Sequence, residues 1–266
     1  MPTEKRARQR AGRQARLQVI ARRQKRRRRV RSSIIVVIVA ALVVLSVYLI
    51  TRHSKPPPVA LPHTAQGRLE AVWQKAGCPT TPLARVNSLR FKPPKLTISD
   101  TATYTADVKT DVGTFVITLD QQESPTAVNS FVFLAKKGYF NCVVFHRVIK
   151  GFVDQTGDPT ATGSGGPGYE FTEKGPPTAS PQYPLGSVVM ANSSSGSTDP
   201  STNGSQWFVV TGTAGETLPP DYVYFGKVTS GMKVVQEINK GGSAASSSTG
   251  TPTLYHRILK ITIKES

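Results

Sequence analysis

Arg147 and Gln155 stand on either side of a glycine in Phe145 to Asp158, FHRVIKGFVDQTGD. Phe145-His146-Arg147-Val148 alternates apolar and polar residues, as a half-buried strand does. Gly151 bends the backbone, and Phe152-Val153-Asp154-Gln155 reads as the return strand. Paired antiparallel, the two strands place a guanidinium and a side-chain amide on one wall, near the apolar ring of Phe152. The fork of N–H donors and the amide suit a neutral, carbonyl-rich ligand with an apolar ring, such as a peptide containing proline. Phosphate and acyl-transfer chemistry have no comparable support. Gly163 to Gly168, GSGGPG, lacks the Gly-Lys-Ser/Thr ending of a phosphate loop and reads as a mobile surface turn. Thr162 occupies the place where a G-x-S-x-G nucleophile elbow needs its first glycine. The four histidines are scattered and no Cys/His cluster has metal-ligand spacing, so neither a metal nor a cofactor is expected.

The stretch FHRVIKGFVDQTGD resembles the signature of the cyclophilins, a family of peptidyl-prolyl cis-trans isomerases. Two further blocks extend the resemblance: Met190-Ala191-Asn192 followed by Asn203-Gly204-Ser205-Gln206-Trp207-Phe208, and Val223-Tyr224-Phe225-Gly226-Lys227-Val228. It runs from about Thr103 to the C-terminus, and three ordered blocks over that length are far more specific than one short motif. The resemblance implies a mainly β fold, a closed eight-stranded antiparallel barrel capped by two helices, acting on proline-containing polypeptides. It assigns the catalytic hydrogen bond to Arg147. Gln155 would hold the substrate backbone or Arg147 itself. Asn192, with its neighbour Ala191, would bond the peptide backbone next to the proline. Phe152, Val153, Phe208 and Leu218 would form the apolar cup for the proline ring, with Gln206 lining the neighbouring wall. Val153 stands where many members carry methionine, and Tyr222 where many carry histidine. Thr217 falls near the position of a tryptophan that contacts cyclosporin in the best-studied members, so weak inhibition by that compound is expected.

The chemistry is consistent with these residue types. Rotation about a peptide bond breaks amide resonance, a barrier of roughly 18–20 kcal/mol. In the twisted state the proline nitrogen regains its lone pair and can accept a hydrogen bond. A positioned guanidinium supplies that bond, and it stabilises the transition state more than either planar form. Arg147 alone on a strand would ordinarily be an ion-pair partner; the order of Gln155, Asn192 and Phe208 behind it favours the catalytic role. His146 reads as structural, since no proton transfer is needed, and Trp207 reads as core. A second function keeps the same scaffold without catalysis, as a proline-peptide-binding or holdase module. The Ser193–Ser201 and Thr217–Tyr222 loops, altered from the family pattern, leave that reading open.

The elements that must carry these residues are legible in outline. Thr103 to Lys109 and Thr114 to Leu119 alternate around Asp111-Val112-Gly113, a hairpin. Ser124-Pro125 reads as an N-cap followed by proline at the first helical position. Ala127, Val128, Phe131, Val132, Leu134 and Ala135 give that helix a wide apolar face, and Gly138 ends it. Ser187 to Met190, Trp207 to Thr211, Val223 to Val228 and Tyr255 to Ile263 are strands, and Gly231 to Asn239 is a second helix. Many short strands with only two helices favour a closed antiparallel barrel.

The first hundred residues differ in kind. Residues 1 to 31 hold fourteen of the 34 lysines and arginines against one of the 16 acids, so most of the net charge of +18 belongs to an arm. A disordered, solvated cytoplasmic arm over residues 1–33 is the expectation, with affinity for anionic lipid headgroups; nucleic-acid binding is not expected. Ile34 to Ile50, IIVVIVAALVVLSVYLI, carries no charge over seventeen residues, the short end of the roughly 17–25 needed to span a bilayer. With the basic arm before it, it reads as a single-pass signal anchor in the cytoplasmic membrane, the C-terminal bulk outside. Pro56-Pro57-Pro58 starts a proline-rich linker over residues 51–100, with a short helix at 67–77 on which Trp73 could dock. The isomerase-like domain would span 101–266, as a monomer. Beyond the membrane an oxidising compartment permits Cys78 and Cys142 to pair; two separate thiols are the alternative. The layout resembles that of actinobacterial envelope proteins, and the expected role is assistance to the folding of exported or cell-envelope proteins.

Overall fold

The computed structural model describes residues 64–81, 89–173, 183–192, 202–247 and 249–266. The expected basic arm, the apolar stretch 34–50 and the triproline lie outside the described residues. Among the described residues no helix is long and apolar enough to cross a membrane.

Eight strands form one sheet: β1 Tyr104–Thr110, β2 Gly113–Leu119, β3 Arg147–Ile149, β4 Val153–Thr156, β5 Ser187–Met190, β6 Trp207–Val210, β7 Tyr224–Ser230 and β8 Ile258–Glu265. Their order is β3-β4-β6-β5-β7-β2-β1-β8, and every ladder is antiparallel. The expected closure is not made by a strand ladder. β3 and β8, at the two ends of this order, do not share a ladder. The chain just before β3 spans the seam instead, through a Val144–Arg257 bridge and bonds from Cys142 N–H to Ile258 C=O and from Phe145 N–H to His256 C=O. The period-2 pattern explains the sheet. In β1, Tyr104, Ala106, Val108 and Thr110 point inward and are buried while the residues between them are partly or fully exposed. The inward residues of β1, β2, β6 and β7 meet Phe131, Leu134, Phe140 and Phe145 in one core. There Trp207, fully buried, sits edge-on to Phe131 at 5.8 Å and to Phe140 at 6.4 Å between ring centroids.

Among the described residues four helices accompany the sheet: α1 Ala65–Lys75, α2 Pro125–Lys136, the single turn α3 Thr213–Glu216, and α4 Met232–Lys240. α2 starts with proline in its first turn, as expected, but Ser124 does not cap it with its side chain. The Ser124 hydroxyl donates to the Tyr224 carbonyl at 2.6 Å. The free N–H of Ala127 goes to the buried carboxylate of Glu173 at 2.8 Å, an anion placed where the helix dipole favours it.

The segment expected to be a linker packs on the barrel. Residues Leu61–Ser266 form one compact unit, so its boundary precedes the expected start at 101. Thr64 caps α1 by accepting from Gly67 N–H. Trp73 is fully buried, donates through Nε1 to Asp111, and lies under the Arg257 guanidinium at 4.6 Å. Arg257, only 1% exposed, donates to the carbonyls of Thr81 and Cys142. Burial lowers its pKa to about 10, with Asp111 opposing, so it remains a cation at neutral pH. Cys78 and Cys142 are joined in a disulfide with their Cα atoms 5.3 Å apart. Farther along, Phe91 packs edge-on against Phe133 and donates its N–H to Pro167 C=O, while Asn129 accepts from Thr97 N–H. The prolines suggest a linker, but buried Trp73 and Cys78 and half-buried Phe91 hold this stretch to the body.

Candidate active site

The β3–β4 hairpin turns at Gly151, whose φ of 71° is the left-handed conformation that a glycine adopts without strain. Its register sets Arg147 directly opposite Gln155. Arg147 Nη1 donates to Gln155 Oε1 at 3.5 Å, the outer limit of a hydrogen bond, and the guanidinium lies 5.7 Å from the centroid of the Phe152 ring. Among the described residues no carboxylate pairs with Arg147. Burial lowers its pKa and Tyr222 counteracts this; the group stays charged. A half-buried cation beside an aromatic face, held by one weak bond, keeps its remaining donors for something else.

Gln155 is in turn fixed from the other side. Its Nε2 donates to Gln206 Oε1 at 3.0 Å, and Gln206 Nε2 donates to the carbonyls of Gly163 and Gly165. The glycine-rich stretch is therefore tied down rather than a free surface turn. Asp158, fully buried, gathers it by accepting from the N–H groups of Thr160, Thr162, Gly163 and Gly165. Burial alone would push this carboxyl up; the bonds from Thr160 and Gly165 and the nearby His146 outweigh it and hold Asp158 below the usual carboxylate range. A Cβ on Gly165 would stand 1.9 Å from an Asp158 oxygen, so only glycine fits there. His146 is half-buried, and burial lowers its pKa.

Facing the guanidinium is a second apolar cluster, separate from the main core. Val153, Tyr183, Val189, Phe208 and Val210 are buried, with Phe152, Ala191, Leu218, Tyr222 and Tyr224 packed against them. The expected cup residues Phe152, Val153, Phe208, Leu218 and Tyr222 thus share one cluster with Ala191. The Tyr222 ring stands edge-on to Phe208 at 5.6 Å. Ala191 N–H donates to the Gln206 carbonyl, and Asn192 Nδ2 donates to the Asp221 carbonyl at 3.0 Å, so the amide is oriented by the 217–222 loop. Tyr183 was not anticipated. It lies fully buried beneath Tyr222, donates to the Tyr222 carbonyl and accepts from its N–H. Nothing in the local sequence around Tyr183 marks it, because its role comes from a contact 39 residues away.

The hairpin also stands on a buried polar network. Asn239, at the end of α4, accepts from Gly151 N–H and donates to Ile149 C=O and to the Asp154 carboxyl at 2.6 Å. Burial pushes Asp154 up to about 8, against the opposing bond from Asn239. In the unfolded chain the carboxyl titrates near its ordinary value of about 3.9. Between these values the folded protein retains a proton that the unfolded chain releases. The contribution is thus fully present below about pH 4 and lost as pH rises through about 8. Asp154→Asn keeps the acceptor for Asn239, and thermal unfolding followed from about pH 5 to 8.5 should show a flatter decline in Tm than the wild type; an identical slope would contradict this protonation.

The sequence model described as "Cyclophilin type peptidyl-prolyl cis-trans isomerase/CLD" matches residues 105–263. The chain belongs to the cyclophilin family. Among its relatives, the "Probable peptidyl-prolyl cis-trans isomerase B" of Mycobacterium leprae is 37% identical over 191 residues, 66% of this chain and 62% of that protein. The chain therefore spans less than two thirds of that relative. The "Peptidyl-prolyl cis-trans isomerase-like 1" of Aspergillus fumigatus is 39% identical over 132 residues, 48% of this chain and 78% of that one. A solved cyclophilin-type isomerase of Cryptosporidium parvum superposes with a TM-score of 0.54 at 28% identity, over 62% of this chain and 99% of its own. A second structure of that cyclophilin, in the presence of the dipeptide Ala-Pro, gives 0.53 at 30% identity, over 61% and 99%. The cyclophilin match begins at 105, after α1, Trp73, Cys78 and Phe91, so the clasp on the barrel lies outside it.

Proposed function

We propose that this cyclophilin is a peptidyl-prolyl cis-trans isomerase of proline-containing polypeptides, working through a hydrogen bond from Arg147 to the nitrogen of the twisted amide. The observation that carries the reading is the guanidinium, without a carboxylate partner among the described residues, at the rim of the Phe152–Phe208–Leu218–Tyr222 cup. The cup takes the proline ring, Gln155 steadies Arg147, and Asn192 with Ala191 binds the backbone on one side of the rotating bond. The opposite side of that bond is then free to turn, and the barrier falls because the twisted state gains a donor that the planar states do not use. The Cryptosporidium cyclophilin has been solved in the presence of Ala-Pro, a dipeptide of the same chemical class.

The seat of this activity, in our reading, is the outer face of the cytoplasmic membrane. The uncharged run Ile34 to Ile50 anchors the chain, the basic arm stays in the cytoplasm against anionic headgroups, and exported or envelope proteins are the clients. The Cys78–Cys142 disulfide supports an oxidising compartment. A protease-coupled isomerisation assay on residues 61–266 tests the activity, with a rate above the uncatalysed one expected. Fractionation of cells expressing the full chain tests the location: recovery with membranes is expected, and recovery in the soluble fraction would overturn the anchor.

A further inference from the structure

A cavity of about 1070 Å³ reaches Ala191 at the edge of the cup and is lined by Gln155, Asn192 and Gln206 of the candidate site. It is also lined by Arg90, Gly168 and Glu170. Arg90 precedes the residues that match the cyclophilin family, so this wall is supplied by the N-terminal segment that clasps the barrel. Its placement is built in. The neighbouring Phe91 donates to Pro167 C=O at 2.7 Å and packs its ring against Phe133 and Tyr139. A Cβ at Gly168 would lie 3.2 Å from Arg90 Cβ, and the φ of +92° at Gly168 is itself a conformation suited to glycine. The backbone bearing Arg90 is therefore held against the pocket while the side chain itself is exposed.

A peptide with its proline in the cup and its backbone on Asn192 must lead one flank into this cavity, which has room for several side chains. We infer that Arg90 makes the groove select an acidic side chain two or three residues from the proline, an inference that rests on the peptide-binding reading of the site. Arginine carries a long, permanently charged fork suited to a carboxylate. Glu170, which also lines the cavity, opposes such a ligand and limits the selection. The effect belongs to a solvent-exposed pair and is accordingly modest.

The test uses Ala-Pro-containing peptides bearing Glu, Ala or Lys two or three residues before or after the proline. For each, kcat/KM and, by NMR titration, Kd are measured. In one of the four positions Glu should exceed Lys by about three- to ten-fold in both constants. Arg90→Glu should reverse that order, Glu170→Gln should sharpen it, and ~1 M salt, where the screening length is about 3 Å, should erase it. Equal constants for Glu and Lys in the wild type, or a preference that survives Arg90→Glu, would overturn the inference. Turnover of the Ala peptide without charge preference overturns it alone. Charge-selective binding without turnover of any peptide supports it and sinks the isomerase reading, and failure to bind or turn over any peptide overturns both.

Discussion

Arg147→Ala should lower kcat/KM for a proline peptide by about 10²- to 10³-fold, the loss typical of removing one donor aimed at charge that develops in a transition state. The same change should leave the fold almost untouched. Arg147 makes one bond at 3.5 Å and a contact with the Phe152 ring, and no carboxylate among the described residues depends on it. A fall in activity with a Tm within a few degrees of the wild type is the expected pair of results. Arg147→Lys should recover little, because an ammonium has the charge without the planar fork that a half-buried site orients. A loss of less than about three-fold in the Ala variant would remove Arg147 from the mechanism. A loss matched by a large drop in Tm would make its role structural.

The second large effect concerns the clasp. Cys78→Ser with Cys142→Ser opens a link between residues 64 apart in sequence, and removal of a native disulfide of this span costs about 2–4 kcal/mol. The resulting fall in Tm should be roughly 5–15 °C for a unit of this size. The loss should be local in origin. Hydrogen exchange should rise first in α1 and around Thr80 and Thr81, because non-covalent contacts such as those of Trp73, Gln66 and Arg257 then hold that segment. Since Cys142 adjoins the seam opposite β8, some gain in exchange at Phe145 N–H is also expected. Unchanged exchange in α1 would show that the Trp73–Asp111–Arg257 contacts suffice without the bond.

Much of the site could be read from residue types and order. Strand alternation on either side of Gly151 set Arg147 and Gln155 on one wall, and the structure goes further by pairing them directly in register. The hairpin of β1 and β2 and the two amphipathic helices were legible for the same reason, since their periods are local. What escaped were contacts that converge only once the chain has folded, most of them between distant segments. Ser124 had the residue type of a cap, but Glu173, 46 residues from Ala127, makes the bond. Asp158 and Gly163–Gly165 gave no hint that a carboxylate would organise the loop, because the four amides it binds become convergent only once the chain has turned. Tyr183 and Asn239 belong to the same class. The proline-rich stretch misled most. Its composition favours chain without helix or strand, which is what it forms over residues 89–99, yet such a segment can still be held to the body when Trp73 is buried and Phe91 packs on Phe133.

The most direct measurement is exchange NMR on an Ala-Pro peptide with a catalytic amount of residues 61–266, which reads cis–trans interconversion with no coupled protease. Exchange cross-peaks between the cis and trans resonances on a sub-second scale are expected, against tens to hundreds of seconds without protein, with shift changes at Phe208, Ala191 and Asn192. Peptide-induced shifts at those residues with no exchange cross-peaks would contradict catalysis and leave a proline-peptide-binding module on a cyclophilin scaffold.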